Sequence, residues 1–336
     1  MKKIILSSLV IASLCTSCMK NNEILTERFS EAKLMPTLNS VNSKSLIDDS
    51  NITNETIRVN VSKIDGSTSY LTPTESKYTL THSGTNWVLS DLLYLSTEKA
   101  VIYAYAPTPA DPATVEEGAY NTLTRKLDVQ ATLDMANQTD YLWSCQNKTE
   151  ISAGNDINST NPQIHLTMNH ALSLVSFVIY KENYTGSGAI SQVKIGDLSA
   201  SPSLTVNKAV DNDLKMSVAT GAITGGEKTS LVTVVNVGNS ITETSLASED
   251  TEVLKTKVNA YTLIVPTTIS DKTKVQFTFT IDSKDYSVTL SGVGGLNWIA
   301  GQQYIYKVKL SGTQMSIESV NVTPWTNNYS GEVVIN

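Results

Sequence analysis

The sequence predicts an all-β chain built as β-sandwiches. Apolar and polar side chains alternate with a two-residue period in several runs, most cleanly at Val275-Gln276-Phe277-Thr278-Phe279-Thr280-Ile281. Turn-forming residues separate these runs at short intervals. Thr, Ser, Asn and Val dominate, which suits strands and turns, and no helical pattern persists beyond two turns. Many short strands joined by turns favour sandwich layers. After a leader of 17 residues, about 318 of the 336 remain, a length that favours two domains.

The leader comes first. Met1-Lys2-Lys3 is a cationic head, and Ile4 to Leu14 is an apolar run too short to span a bilayer. Thr16-Ser17-Cys18 then sets a cysteine behind two small side chains. The thiol can take a diacylglycerol, and small neighbours let a peptidase reach the bond before it. Cys18 is the expected lipidation site, with residues 1–17 as signal peptide. The alternative is an ordinary secretory leader with an incidental cysteine. Cys15 is the poorer acceptor because bulky Leu14 precedes it. If Cys15 leaves with the leader and Cys18 is acylated, Cys145 has no intramolecular disulfide partner, and no cysteine metal cluster can form. Beside Trp143, it reads as a small core residue.

Residues 18–55 read as a tether with one weak strand inside Glu31–Val41. Regular alternation begins at Ile57, Val59 and Val61, with Arg58, Asn60 and Ser62 expected on the opposite, outward face. Val101 to Ala106 is a denser apolar strand ended by Pro107, and a polar loop is expected through Glu116-Glu117 to Gly118. Ile164, Leu166 and Met168 alternate again. His170 continues their face, and Leu172 to Tyr180 is expected to prolong the same strand.

The second half is more regular. Asp282-Ser283-Lys284-Asp285 turns the 275–281 strand back through Tyr286, Val288 and Leu290. Tyr304, Tyr306, Val308 and Leu310 form the next strand, and Ser311-Gly312 turns it. Met315 and Ile317 alternate, then Val320 and Val322 change phase, which predicts a bulge before Pro324-Trp325. Gly331 to Asn336 reads as a short terminal strand. A composition shift at 182–186 places the expected domains at 56–184 and 185–336.

Chemistry is sparse. His165 and His170 are five apart, an odd spacing that puts them on opposite faces of a strand and excludes a shared metal. Asp211-Asn212-Asp213 opens like a calcium loop but lacks the turn glycine and the distal glutamate, so it reads as a solvated turn. Gly292-Val293-Gly294-Gly295 joins strand to strand, with no helix after it to hold phosphate. Asp48-Asp49 and Glu116-Glu117 sit in polar stretches. No nucleophile or metalloprotease motif is present, so no enzyme, metal or cofactor is expected. The charge balance is mildly acidic, 25 basic against 32 acidic residues. No basic block occurs, which argues against nucleic acid as a partner.

Four patterns follow the lipid-attachment signature in order. They are Trp87 with VIYAYAP at 101–107, Asp140-Tyr141-Leu142-Trp143, Asn169-His170-Ala171-Leu172, and Trp298-x-x-Gly301-x-x-Tyr304-x-Tyr306 leading to Val322-x-x-Trp325. Together they resemble the fimbrillin family, the type V pilins of Bacteroidetes, over nearly the whole chain behind the leader. The resemblance implies two transthyretin-like sandwich domains in tandem and export as an outer-membrane lipoprotein. It implies surface proteolysis that removes one N-terminal strand, and growth of a fimbria as another subunit's strand enters the opened groove. Other fimbrial subunits would be the partners, in a homo- or hetero-polymer. Candidate exchange strands lie within 31–41 and at 332–336.

The sequence departs from the family's stalk subunits at the processing site. They are cut after arginine, and the matching linker here is Asn42-Ser43-Lys44-Ser45. Lys44 is the candidate site. Arg28 lies too early, because a cut there leaves the strand attached, and Arg58 lies inside a strand. An uncut chain would act as an anchor or tip component. The rival expectation is a lipid-anchored binding protein or tip adhesin that holds a glycan or host protein. A row of outward aromatics would favour it, whereas Trp87, Trp143 and Trp298 are expected in the core.

Overall fold

The computed structural model describes residues 30–38, 47, 52–70, 77–84, 86–146, 156–208, 213–246 and 250–325. Cys18, Arg28, Lys44, Asp48-Asp49, Asp211-Asn212 and the terminal stretch 332–336 lie outside them. The described chain is nearly all strand. Its one α-helix, Thr251–Lys255, has five residues and is capped by the Asp250 side chain. None of its helices is long and apolar enough to cross a membrane.

The first sheet runs in the order Lys33–Leu38, Gln163–His170, Leu142–Gln146, Ala100–Ala106, Ile57–Lys63, Lys77–His82, Trp87–Leu89. Its first strand also approaches its last, so the sheet curls toward closure. Both faces of its central strands are covered. Ile57, Val59 and Val61 face one apolar cluster. Tyr103 and Tyr105, opposite Asn60 and Arg58, pack with Leu123, Leu127, Tyr141 and Met216 in another. This corrects the half-buried reading: Asn60 and Ser62 are fully buried. Glu116-Glu117 is likewise a short strand rather than a solvated loop. The buried Glu116 carboxylate accepts from Arg58 Nε at 2.9 Å and from the Tyr105 hydroxyl at 3.0 Å.

The chain then changes sheets. The strand expected to run on through Leu172 breaks at Ala171-Leu172, and Ser173–Glu182 pairs in parallel with Gln302–Ser311. Ala260–Ile264 and Gln314–Pro324 complete that sheet. The expected bulge is present, as a register shift between the pairs Lys307–Ser319 and Val308–Ile317. The opposing sheet is Thr132–Asp134, Leu231–Val235, Ile190–Asp197, Val275–Ile281, Lys284–Thr289. Its hairpin turns through Asp282 and Ser283, both at positive φ (48° and 64°), as a two-residue turn matched to strand twist requires. Asp282 also accepts from the Gly188 and Ala189 N–H groups at 2.9 and 3.0 Å, pinning the turn to a neighbouring loop.

Aromatic rings fill the space between these two sheets. Phe177 meets Phe277 and Phe279 edge-on at 4.9 and 5.1 Å, and the Trp298 indole N–H donates to the Tyr306 hydroxyl at 3.1 Å. Trp298 and Trp325 are fully buried, whereas Trp87 and Trp143 are half-buried at the margins of their clusters. Phe277→Ala should cost about 3–5 kcal/mol, the usual loss for a buried aromatic. Thr278→Ala, on the outer face of the same strand, should cost far less. Urea unfolding midpoints of the two variants check the contrast, and equal small losses would contradict the core described here.

Candidate assembly groove

Sequence alternation is weak between 30 and 38, yet these residues close the first sheet. Ser30 and Glu31 pair antiparallel with Leu95 and Tyr94, and the Ala32 N–H donates to the Leu93 carbonyl at 2.8 Å. From Lys33 the segment switches partner. It runs parallel to Gln163–His170, from Lys33 opposite Gln163 to Leu38 opposite Met168. The segment is thus bonded on one side early and on the other side late. Ala32 and Leu34 point inward and are buried in the cluster that holds Ile52, Leu93, Leu95, Ile164 and Leu166. Without this segment, those apolar side chains and the outer backbone groups of 163–168 would lose their cover, a costly combination at a sheet edge.

The inner end of this groove meets a buried polar node. Asp140, just before the strand Leu142–Gln146, accepts from the Ile47 N–H at 3.2 Å. Its carboxylate also lies 3.0–3.1 Å from His170 Nδ1. The His170 ring stacks on Trp325, with centroids 3.6 Å apart and planes 5° from parallel. The Trp325 N–H donates to the Gly301 carbonyl at 2.7 Å, and the Gly301 N–H to the Leu172 carbonyl at 2.9 Å. Three of the four sequence patterns therefore converge here, through Asp140, His170, Gly301 and Trp325. The reading of His170 as a plain strand residue missed this pairing. Its partner lies 30 residues away, just before another strand. His165 sits within the same strand as His170, and its side chain is outside the described set.

Glu55 lies near the node. Burial first, and the Asp140 charge second, push its carboxyl above the ordinary range.

The other candidates gather no chemistry. Among the described residues no three His, Cys, Asp or Glu side chains could hold a metal. Cys145 forms no disulfide there and packs at the edge of an apolar cluster. Asp213 accepts from Lys208 and from the Gly226 N–H, as a turn residue would. An open polar depression of about 550 Å³ is lined by Glu117, Arg125, Lys126, Asp128, Tyr141 and Lys215, among others. Lys126 and Lys215 both reach Glu117 there, at 3.1 and 2.6 Å. Of the large aromatic side chains described, only Tyr94 is more than a third exposed.

The two carboxylates of the node should respond oppositely to removal. Asp140→Ala strands the buried Ile47 and His170 donors and should cost about 3 kcal/mol. Glu55 has a raised folded pKa, so the folded state holds its proton more tightly and loses stability as pH rises through that value. Glu55→Gln should therefore be more stable than the parent at pH 7.5, with the gap closing below about pH 4, where both forms are neutral. Urea melts at both pH values check the pair. A Glu55→Gln variant less stable than the parent at pH 7.5 would contradict the raised pKa.

Comparison with known proteins places this architecture. A candidate cell adhesion protein from Bacteroides ovatus ATCC 8483 superposes with a TM-score of 0.56 at 13% identity, covering 90% of this chain and 100% of that one. A fimbrial protein from Bacteroides vulgatus ATCC 8482 superposes with a TM-score of 0.56 at 12% identity, covering 88% and 99%. At these identities the likeness establishes the fold. No curated protein sequence matches the chain. The fimbrillin-like family matches over residues 46–325, the greater part of the sequence. The chain belongs to the fimbrillin-like family.

Proposed function

We propose that this chain is a fimbrial subunit that is exported as a lipoprotein on Cys18, reaches the cell outer membrane, and polymerises by strand exchange. One observation carries the exchange reading. Residues 33–38 form the edge strand of the first sheet and residues 30–31 pair with Tyr94–Leu95 in a separate two-stranded ladder, while the body of the fold supplies every other strand of the first sheet. The segment is joined to the body through 39–46, which contains Lys44. A cut there would free the strand and leave Ile47 held by Asp140. The opened groove would offer apolar side chains and unpaired backbone groups together, and a strand from another subunit satisfies both. The sandwich then regains a continuous core, so the polymer should be very stable.

The chain is further read as two tandem units. Strand pairing supports a joint at Ala171-Leu172, between the first sheet and Ser173–Glu182, more than one at 184/185. A short strand from the first half, Thr132–Asp134, crosses to pair with Leu231–Val235 and ties the units together.

The glycan- or host-binding adhesin is the weaker reading. The aromatic side chains are mostly buried, and two of the lysines beside Arg125 are already paired with Glu117.

Purified chain without its leader should be monomeric. Trypsin nicking at Lys44 should convert it to a ladder of oligomers on non-denaturing gels, with none formed by a Lys44→Gln control. Nicked protein that stays monomeric and keeps its unfolding midpoint would contradict exchange. In cells, Cys18→Ala should abolish palmitate labelling, and normal labelling would contradict the anchor.

A further inference from the structure

The groove and the C-terminal segment share a root. Gln163–His170 runs toward the node, so the inner end of the ladder with 33–38 lies at Met168, two residues before His170. The last described residue, Trp325, stacks directly on the His170 ring. Residues 326–336 therefore follow directly on a residue seated beside the inner mouth of the groove. They are long enough to occupy it: eleven extended residues reach roughly 36 Å, and a six-residue ladder needs about 20 Å. Their composition fits as well. Val333 and Ile335 are two apart, the spacing at which Ala32 and Leu34 enter the core.

We propose that, once residues 30–38 depart, the chain's own segment 326–336 enters the vacated groove from its inner end, antiparallel to Gln163–His170. The inference rests on the exchange reading above. The occupant differs: the subunit caps itself before a neighbour does. A tethered segment acts at an effective concentration in the millimolar range, so self-capping prevails in dilute solution and exchange prevails only where subunits are crowded. Self-capping would keep a cut subunit soluble until it reaches a growing end.

The test uses the leaderless chain with a site-specific protease sequence built into 40–46. After cutting and dilution to nanomolar concentration, the retained fragment is weighed by mass spectrometry and the tail is exposed to carboxypeptidase. Self-capping predicts that the 30–38 fragment leaves, the protein stays monomeric, and removal of the tail slows at least about tenfold relative to uncut chain. A fragment that leaves while the tail digests at its original rate overturns self-capping and keeps the groove. Protection seen only at concentrations where oligomers form also overturns it, in favour of exchange alone. A fragment that stays bound through dilution shows that the groove does not open, and overturns both readings.

Discussion

A β-sheet that curls almost to closure has one seam, and whatever fills the seam fixes the fate of the core behind it. In this protein the seam lies between the Gln163–His170 edge and the Leu93–Leu95 stretch, and residues 30–38 fill it. Among its described side chains, Ala32 and Leu34 are buried. It also satisfies backbone groups on both flanks. An exposed edge of this kind pairs readily with any extended chain, and folded proteins normally cover it. The cover here is a separate segment attached through 39–46, an arrangement suited to replacement.

The buried node of Asp140, His170 and Trp325 gives that seam a fixed inner end. It bonds Ile47, which follows the 39–46 link in sequence, and stacks on Trp325, which precedes residues 326–336. It also sits at the joint where the chain passes from the first sheet into Ser173–Glu182. A buried carboxylate with two donors is costly to disturb, so the node is a firm anchor beside the seam. At the neighbouring Glu55, burial first and the Asp140 charge second raise the carboxyl's pKa, so its contribution to stability falls as pH rises.

Local pairing was legible in the sequence and distant pairing was not. The strands 275–281 and 284–289 form a hairpin whose partners are adjacent, so alternation alone gives their register and inward face. The bulge near Ile317 was readable for the same reason, as a phase change inside one strand. Asn60 and Ser62 read as outward because alternation reports one covered face. That the second face is also covered depends on Tyr103, Tyr105 and the 123–129 and 214–218 segments, none of them neighbours in sequence. The seam strand was visible only as a weak candidate, since its ladder partner lies 130 residues on, from Lys33 to Gln163. The node residues Asp140, His170 and Trp325 were singled out by pattern, yet spacing gave no sign that they meet.

Amide hydrogen exchange across Gln163–Met168 tests the central claim, that residues 30–38 are the removable cover of this seam. In the intact chain these amides should be protected. In a chain cut between 39 and 46, with the fragment washed away under mild denaturant and the tail deleted at 326, protection at 163–168 should fall to the level of an open edge, while 275–281 stays protected. Unchanged protection at 163–168 after the fragment has gone would show that the strand covers nothing the fold depends on, and would contradict the account.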